Sequence, residues 1–201
     1  MGNTIFVHHP HCGGTAYISW LTSTNQLYDE QLQEARGHSC AVTWQTLNPS
    51  VWDMCDKVGI VRNPYDKMVA IYLSETDEYL AMKKSALYNA RYKQYLPDRF
   101  PKFTEWLVTS VYSSHHPLDV RRVSQYNFFA DTTGTINYPI LQFEKDLSSI
   151  PAKWHRTGYT NEGTSPSRPH YSTYYDELSK RWVDNFFKKD IETWNYCFET
   201  V

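Results

Sequence analysis

Two stretches of this sequence carry residue types that suit anion binding. In the first, His8-His9-Pro10-His11-Cys12 runs directly into Gly13-Gly14-Thr15. Glycines in such a turn let successive backbone N–H groups point into one concavity, and a following helix adds the positive end of its dipole. Gly13, Gly14 and Thr15 therefore suit a phosphate cradle, although a bare Gly-Gly-Thr also fits a tight turn with no ligand. The second stretch supplies Arg62, whose planar guanidinium suits bidentate phosphate recognition as readily as a surface ion pair. The nucleotide patterns G-x-x-x-x-G-K-[ST] and G-x-G-x-x-G are both absent. An ordinary P-loop nucleotidase or a dinucleotide-dependent dehydrogenase is therefore not expected. His8, His9, His11 and Cys12 are also zinc-ligand types, but on a strand His8 and His9 point to opposite faces, and no Asp or Glu lies nearby. No metal is expected. Lys83-Lys84 to Arg91-Tyr92-Lys93 reads as a solvated helix face, or a wall for an anionic acceptor, rather than a nucleic-acid reader.

These residues need elements to hold them. Thr4 to His8 is rich in β-branched and aromatic residues and reads as a strand; Thr15 to Leu21 has helical spacing. Lys57 to Arg62 reads as a second buried strand, Asn63-Pro64 as a turn with proline at a first helical position, and Tyr65 to Ser74 as a helix. Two strand-to-helix units imply a parallel sheet, with both anion motifs at the carboxyl ends of its strands, where open α/β sheets bind ligands. Glu75 to Tyr112 is helical in pattern, with Tyr88, Tyr92 and Tyr95 inward and Phe103, Trp106 and Leu107 in a later stretch. Tyr138 to Phe143 reads as another strand. Thr173 to Trp194 reads as one or two helices with Leu178, Trp182, Phe186 and Ile191 inward, and Thr157 to Pro169 as a loop.

At 201 residues, with 41% hydrophobic and 21% charged residues, the chain suits one globular domain spanning 1–201. A formal net charge of -2 advertises no nucleic-acid or anionic-membrane partner, so any anion site must be local. Four cysteines without C-x-x-C spacing, no apolar run long enough to cross a bilayer and no targeting signal make the cytoplasm the expected location.

With those motifs in place, the sequence resembles the sulfotransferases that use 3′-phosphoadenosine 5′-phosphosulfate (PAPS), particularly the carbohydrate-acting branch. Phe6-Val7-His8-His9-Pro10-His11-Cys12-Gly13-Gly14-Thr15 is similar to that family's 5′-phosphosulfate loop, F-V-H-x-P-K-[TS]-G-G-T. Val61-Arg62-Asn63-Pro64-Tyr65-Asp66-Lys67-Met68-Val69-Ala70-Ile71-Tyr72 is similar to its 3′-phosphate motif, V-R-N-P-Y-D-R-x-V-S-x-Y. Gln125-Tyr126, Ile140 to Leu147, and His170-Tyr171 through Asn195-Tyr196 resemble later family segments in the same order. The resemblance implies a P-loop-like, three-layer α/β fold with a central parallel sheet flanked by helices. It further implies transfer of a sulfuryl group from PAPS to a hydroxyl or amine acceptor, such as a glycan, leaving 3′-phosphoadenosine 5′-phosphate (PAP).

The same likeness implies that His11, Cys12, Gly13, Gly14, Thr15 and Ala16 hold the 5′ end of the donor, that Arg62 holds the 3′-phosphate, and that Arg168 lies over that phosphate and the adenine. Gly37-His38 is similar to the Gly-His of the glycan-acting branch, making His38 the expected base and His8 the second choice. Glu144 is expected to be structural. Two departures stand out: His11 replaces the family's lysine and Ala70 its serine, so two donors are lost. A phosphate neighbour favours imidazolium, which would let His11 act as donor and general acid to the departing phosphate. The alternative is a PAPS- or PAP-binding module without turnover.

Overall fold

The computed structural model describes residues 3–28, 38–83, 102–112, 121–146 and 169–201. Its centre is a parallel sheet of β1 (Thr4–Val7), β2 (Asp56–Val61) and β3 (Ile140–Gln142), in that spatial order. Val7 pairs with Gly59, and Val61 with Gln142, so the turns leaving the three strands emerge on one edge. Around it lie helices α1 (Gly14–Ser23), α2 (Ala41–Leu47), α3 (Pro49–Met54), α4 (Pro64–Lys83), α5 (Phe103–Tyr112), α6 (Gln125–Phe129), α7 (Phe143–Asp146), α8 (Glu177–Phe186) and α9 (Lys188–Trp194). A 3-10 turn spans Tyr171–Tyr174.

Side chains alternate across a strand, and both faces of this sheet are apolar. Phe6, Val58 and Ile60 pack with Tyr17 and Leu21 of α1 on one face. Ile5, Val7 and Val61 pack with Trp44 of α2, Trp52 of α3, and Phe128 and Phe129 of α6 on the other. The fold is therefore α/β, with helices against both faces. Gly59 is required at the sheet centre: a Cβ there would lie 2.6 Å from the Phe129 ring and 2.8 Å from Ile140 Cδ1. A third cluster joins Met68 and Ile71 of α4 to Phe103 and Leu107 of α5 and to Tyr171, Val183 and Phe187.

Three expectations shift. The second strand ends at Val61 because the Gln125 carboxamide takes over the backbone of Arg62, accepting from its N–H and donating to its carbonyl, both at 2.8 Å. The third strand shrinks to Ile140–Gln142 because the Asp146 carboxylate takes the Gln142 N–H at 2.6 Å and α7 begins. Leu178 and Phe186 do not face inward; they are 53% and 45% exposed, while Ser179, Val183, Phe187 and Asp190 are buried. A polar anchor sets that face. Asp190 accepts from Ser124 Oγ at 2.5 Å, Gln125 N at 2.7 Å and Tyr126 N at 2.9 Å, tying α9 to the start of α6. Among the described residues no helix is long and apolar enough to cross a membrane. Tyr88, Tyr92 and Tyr95, the basic stretch 84–93 and most of the loop 157–169 lie outside the described residues.

Candidate anion site at the strand ends

The turn after β1 is set by two left-handed residues, His11 (φ 59) and Gly13 (φ 76). Glycine adopts this conformation freely, whereas for His11 it costs about 1–2 kcal/mol, which the surrounding contacts must offset. Gly13 is the N-cap of α1, no side chain caps that helix, and no acidic residue occupies its first turn. Ala16 N and Tyr17 N donate to Gly13 O, and helix geometry leaves the amides of Gly14 and Thr15 ahead of the first intrahelical acceptor. Gly14 has a packing reason of its own: a Cβ there would sit 2.1 Å from His8 Nε2. Thr15 is exposed, Ala16 half-buried and Cys12 buried.

The imidazoles divide between the two faces of the sheet. His8 stacks on Phe6 with ring centroids 5.3 Å apart and lies 4.4 Å from the ring of His38. Its Nδ1 is buried with no hydrogen-bond partner among the described residues. Burial, then the charges of His38 and His11, push its pKa down to about 3. His38 lies 3.3 Å from the carbonyl of His8 through Nδ1, so this nitrogen donates and Nε2 is left as the basic atom. Burial lowers its pKa, the His8 carbonyl opposes this, and Arg121 lowers it further. His11 is pushed down to about 3 by burial, then by Arg62, Arg121, Lys67 and His38. All three are therefore neutral imidazoles at neutral pH.

His9 points the other way, onto the ring of Phe128 at 4.6 Å, so the imidazoles cannot converge on one ion. Its Nδ1 donates to Pro10 O at 3.0 Å and its Nε2 accepts from the buried Lys67 Nζ at 3.2 Å. Burial, then Lys67, holds its pKa well below the ordinary range. Among the described residues no group of three or more His, Cys, Asp or Glu could hold a metal ion.

Arg62 is 2% exposed. Its Nε and Nη2 donate to Asp66 Oδ2 at 2.7 and 2.5 Å, its Nη1 donates to His11 O at 3.1 Å, and its guanidinium lies 4.6 Å above the Phe143 ring. The two sequence motifs thus touch directly across neighbouring strand ends. Cys12 completes the junction by donating from Sγ to Gln125 Oε1 at 3.3 Å. Burial pushes its thiol up to about 12, so it packs rather than reacts. Glu144 accepts from Asn63 N at 2.6 Å and from Tyr196 Oη at 3.1 Å, holding the turn into α4. Ala70 is half-buried on α4, and Arg168 and Gly37 lie outside the described residues.

No family model, curated protein or solved structure matches this chain. The geometry stands by itself: a strand-to-helix turn with uncapped amides, a base-type histidine beside it, and an arginine bonded to the turn's own carbonyl. Sequence reasoning missed Asp66, Lys67 and Gln125. Asp66 was readable, lying one helical turn beyond Arg62 with opposite charge. Lys67 and Gln125 stand in the matched segments, but their roles were not readable because their partners, His9, Cys12 and Arg62, lie far away in sequence.

Proposed function

We propose that the chain is a PAPS-dependent sulfotransferase with a P-loop-like, three-layer fold, working in the cytoplasm on a hydroxyl or amine acceptor such as a glycan. The observation that carries this reading is the 3.1 Å bond from Arg62 Nη1 to His11 O, which puts the two phosphate-type motifs within the span of one nucleotide. The uncapped α1 N-terminus and the left-handed Gly13 fit a phosphate or sulfonate oxygen. Four free thiols suit a reducing compartment.

The donor supplies the sulfuryl group; the chain's residues position and deprotonate. Neutral His38, oriented through Nδ1 on the His8 carbonyl, takes the acceptor hydroxyl's proton at Nε2 as the acceptor oxygen bonds to sulfur. With the donor bound, its sulfuryl group would be released from the 5′-phosphate oxygen, which would keep the electron pair. The amides of Gly14 and Thr15 stabilise this charge, and His11 joins them once the phosphate's charge draws a proton onto its ring.

A second reading has its own support. Burial and neighbouring cations hold His11 neutral and Arg62 is held by Asp66, which fits a module that binds PAPS or PAP without turnover. Incubation of the chain with 35S-labelled PAPS and a panel of hydroxyl and amine acceptors, glycans included, separates them. Labelled acceptor supports the enzyme, bound nucleotide without product supports the module, and neither contradicts both.

A further inference from the structure

Arg62 is fixed at both ends. Where β2 stops, the Gln125 carboxamide accepts from Arg62 N and donates to Arg62 O, both at 2.8 Å, and one helical turn later Asp66 takes Nε at 2.7 Å and Nη2 at 2.5 Å. The Phe143 ring lies 4.6 Å from the guanidinium carbon. These contacts aim Nη1 at His11 O, which it reaches at 3.1 Å, and they leave the residue 2% exposed.

The carbonyl that receives this bond belongs to a strained residue. His11 has φ 59, a left-handed conformation that residues other than glycine seldom take, and it stands two positions before Gly13 (φ 76), the N-cap of α1. The peptide orientation at His11 therefore decides where the amides of Gly14 and Thr15 point. Gln125 braces the same turn, since its Oε1 also accepts from Cys12 Sγ at 3.3 Å. A direct phosphate receptor presents its donors to the ligand, whereas this guanidinium turns one edge to Asp66, whose carboxylate repels an approaching anion.

We propose that Arg62 is a positioning residue for the 5′ end of the donor: by holding His11 O it fixes the left-handed turn that presents the Gly14 and Thr15 amides, and it does not itself grip the 3′-phosphate. This inference rests on the donor reading above. It moves the role of Arg62 from one end of the nucleotide to the other and leaves the 3′-phosphate to other groups.

Isothermal titration of the full chain with PAP, and with adenosine 5′-phosphate and adenosine 3′-phosphate directly or in competition with PAP, tests it, each variant being held well below its melting temperature. A lysine can pair with Asp66 but does not span both Asp66 and His11 O. Arg62→Lys is therefore expected to weaken PAP and adenosine 5′-phosphate about tenfold and to leave adenosine 3′-phosphate within about twofold. Loss confined to PAP and adenosine 3′-phosphate overturns the inference, because Arg62 then grips the 3′-phosphate. Equal loss for all three nucleotides, or no loss for any, overturns it as well while the donor reading stands. Asp66→Asn separates the two roles by sign, and it decides if Arg62→Lys melts too early to titrate. It is expected to weaken adenosine 5′-phosphate about threefold or more, because the guanidinium loses its aim on His11 O. Tighter adenosine 3′-phosphate, or unchanged adenosine 5′-phosphate, in that variant overturns the inference. Wild-type protein that binds none of the three nucleotides overturns the inference and the donor reading together.

Discussion

Arg62 reads in the sequence as a phosphate receptor and in the structure as one half of a buried ion pair whose other half, Asp66, is one turn away. Removing one partner of such a pair leaves an uncompensated buried charge, which is more damaging than the net worth of the pair. Arg62→Ala is therefore expected to lower folding stability by about 3–5 kcal/mol in urea denaturation. A loss below about 1 kcal/mol would mean that the pair behaves like an exposed one. His11 is the other residue whose role turns on charge. A bound phosphate favours its imidazolium, so PAP affinity is expected to fall as pH rises through the bound-state pKa and to level off above it. Titrations between about pH 5.5 and 8.5 check this, and His11→Lys is expected to bind PAP more tightly with a flatter profile. A flat wild-type profile would show that His11 stays neutral in the complex.

At the scale of elements, the two strand-to-helix units were legible because β-branched runs, the glycine pair and the Asn63-Pro64 turn are all local signals. The reason for Gly14 was not, since it depends on where the His8 ring settles. Gly14→Ala is expected to cost about 1–3 kcal/mol by driving a methyl group into that ring, and His8→Ala in the same chain is expected to recover much of the loss. Additive effects in the double-mutant cycle would show that the two do not meet. Apolar spacing favours Leu178 and Phe186 as the inward face of α8, whereas Ser179 and Val183 are buried, next to the anchor that Asp190 of α9 makes on the start of α6. The start of α8 is closed by a capping box in which Asp176 and Ser179 exchange hydrogen bonds, and the Ser179 contacts hold the Asp176 carboxyl down to about 2. Asp176→Ala is expected to lower the urea midpoint by an amount equivalent to about 0.5–2 kcal/mol, and an unmoved midpoint would make the cap dispensable.

Across the whole molecule, the neutral imidazoles around the turn tie stability to pH. His8 and His11 sit at about 3 when folded, against an ordinary 6.5, so between those values the unfolded chain binds more protons. Their contribution is fully present above pH ~6.5 and drains away as pH falls towards ~3, at up to about 1.4 kcal/mol per pH unit for each ring. Urea midpoints at about pH 7 and 5 measure it, and equal midpoints would show that these rings titrate normally. The parallel sheet and the meeting of both motifs at its carboxyl edge were readable from the order of strands and helices. The bonds that weld the site, Gln125 to Arg62 and Cys12, Lys67 to His9, and Arg62 to His11 O, were not, because each joins residues more than fifty positions apart. Whether one bisphosphorylated nucleotide bridges the β1 and β2 turns is answered most directly by unfolding the protein at increasing PAP concentrations. Stability is expected to climb with ligand, by about 2.7 kcal/mol at ~100 times Kd, and a curve that PAP leaves unmoved at about 1 mM contradicts the bridge.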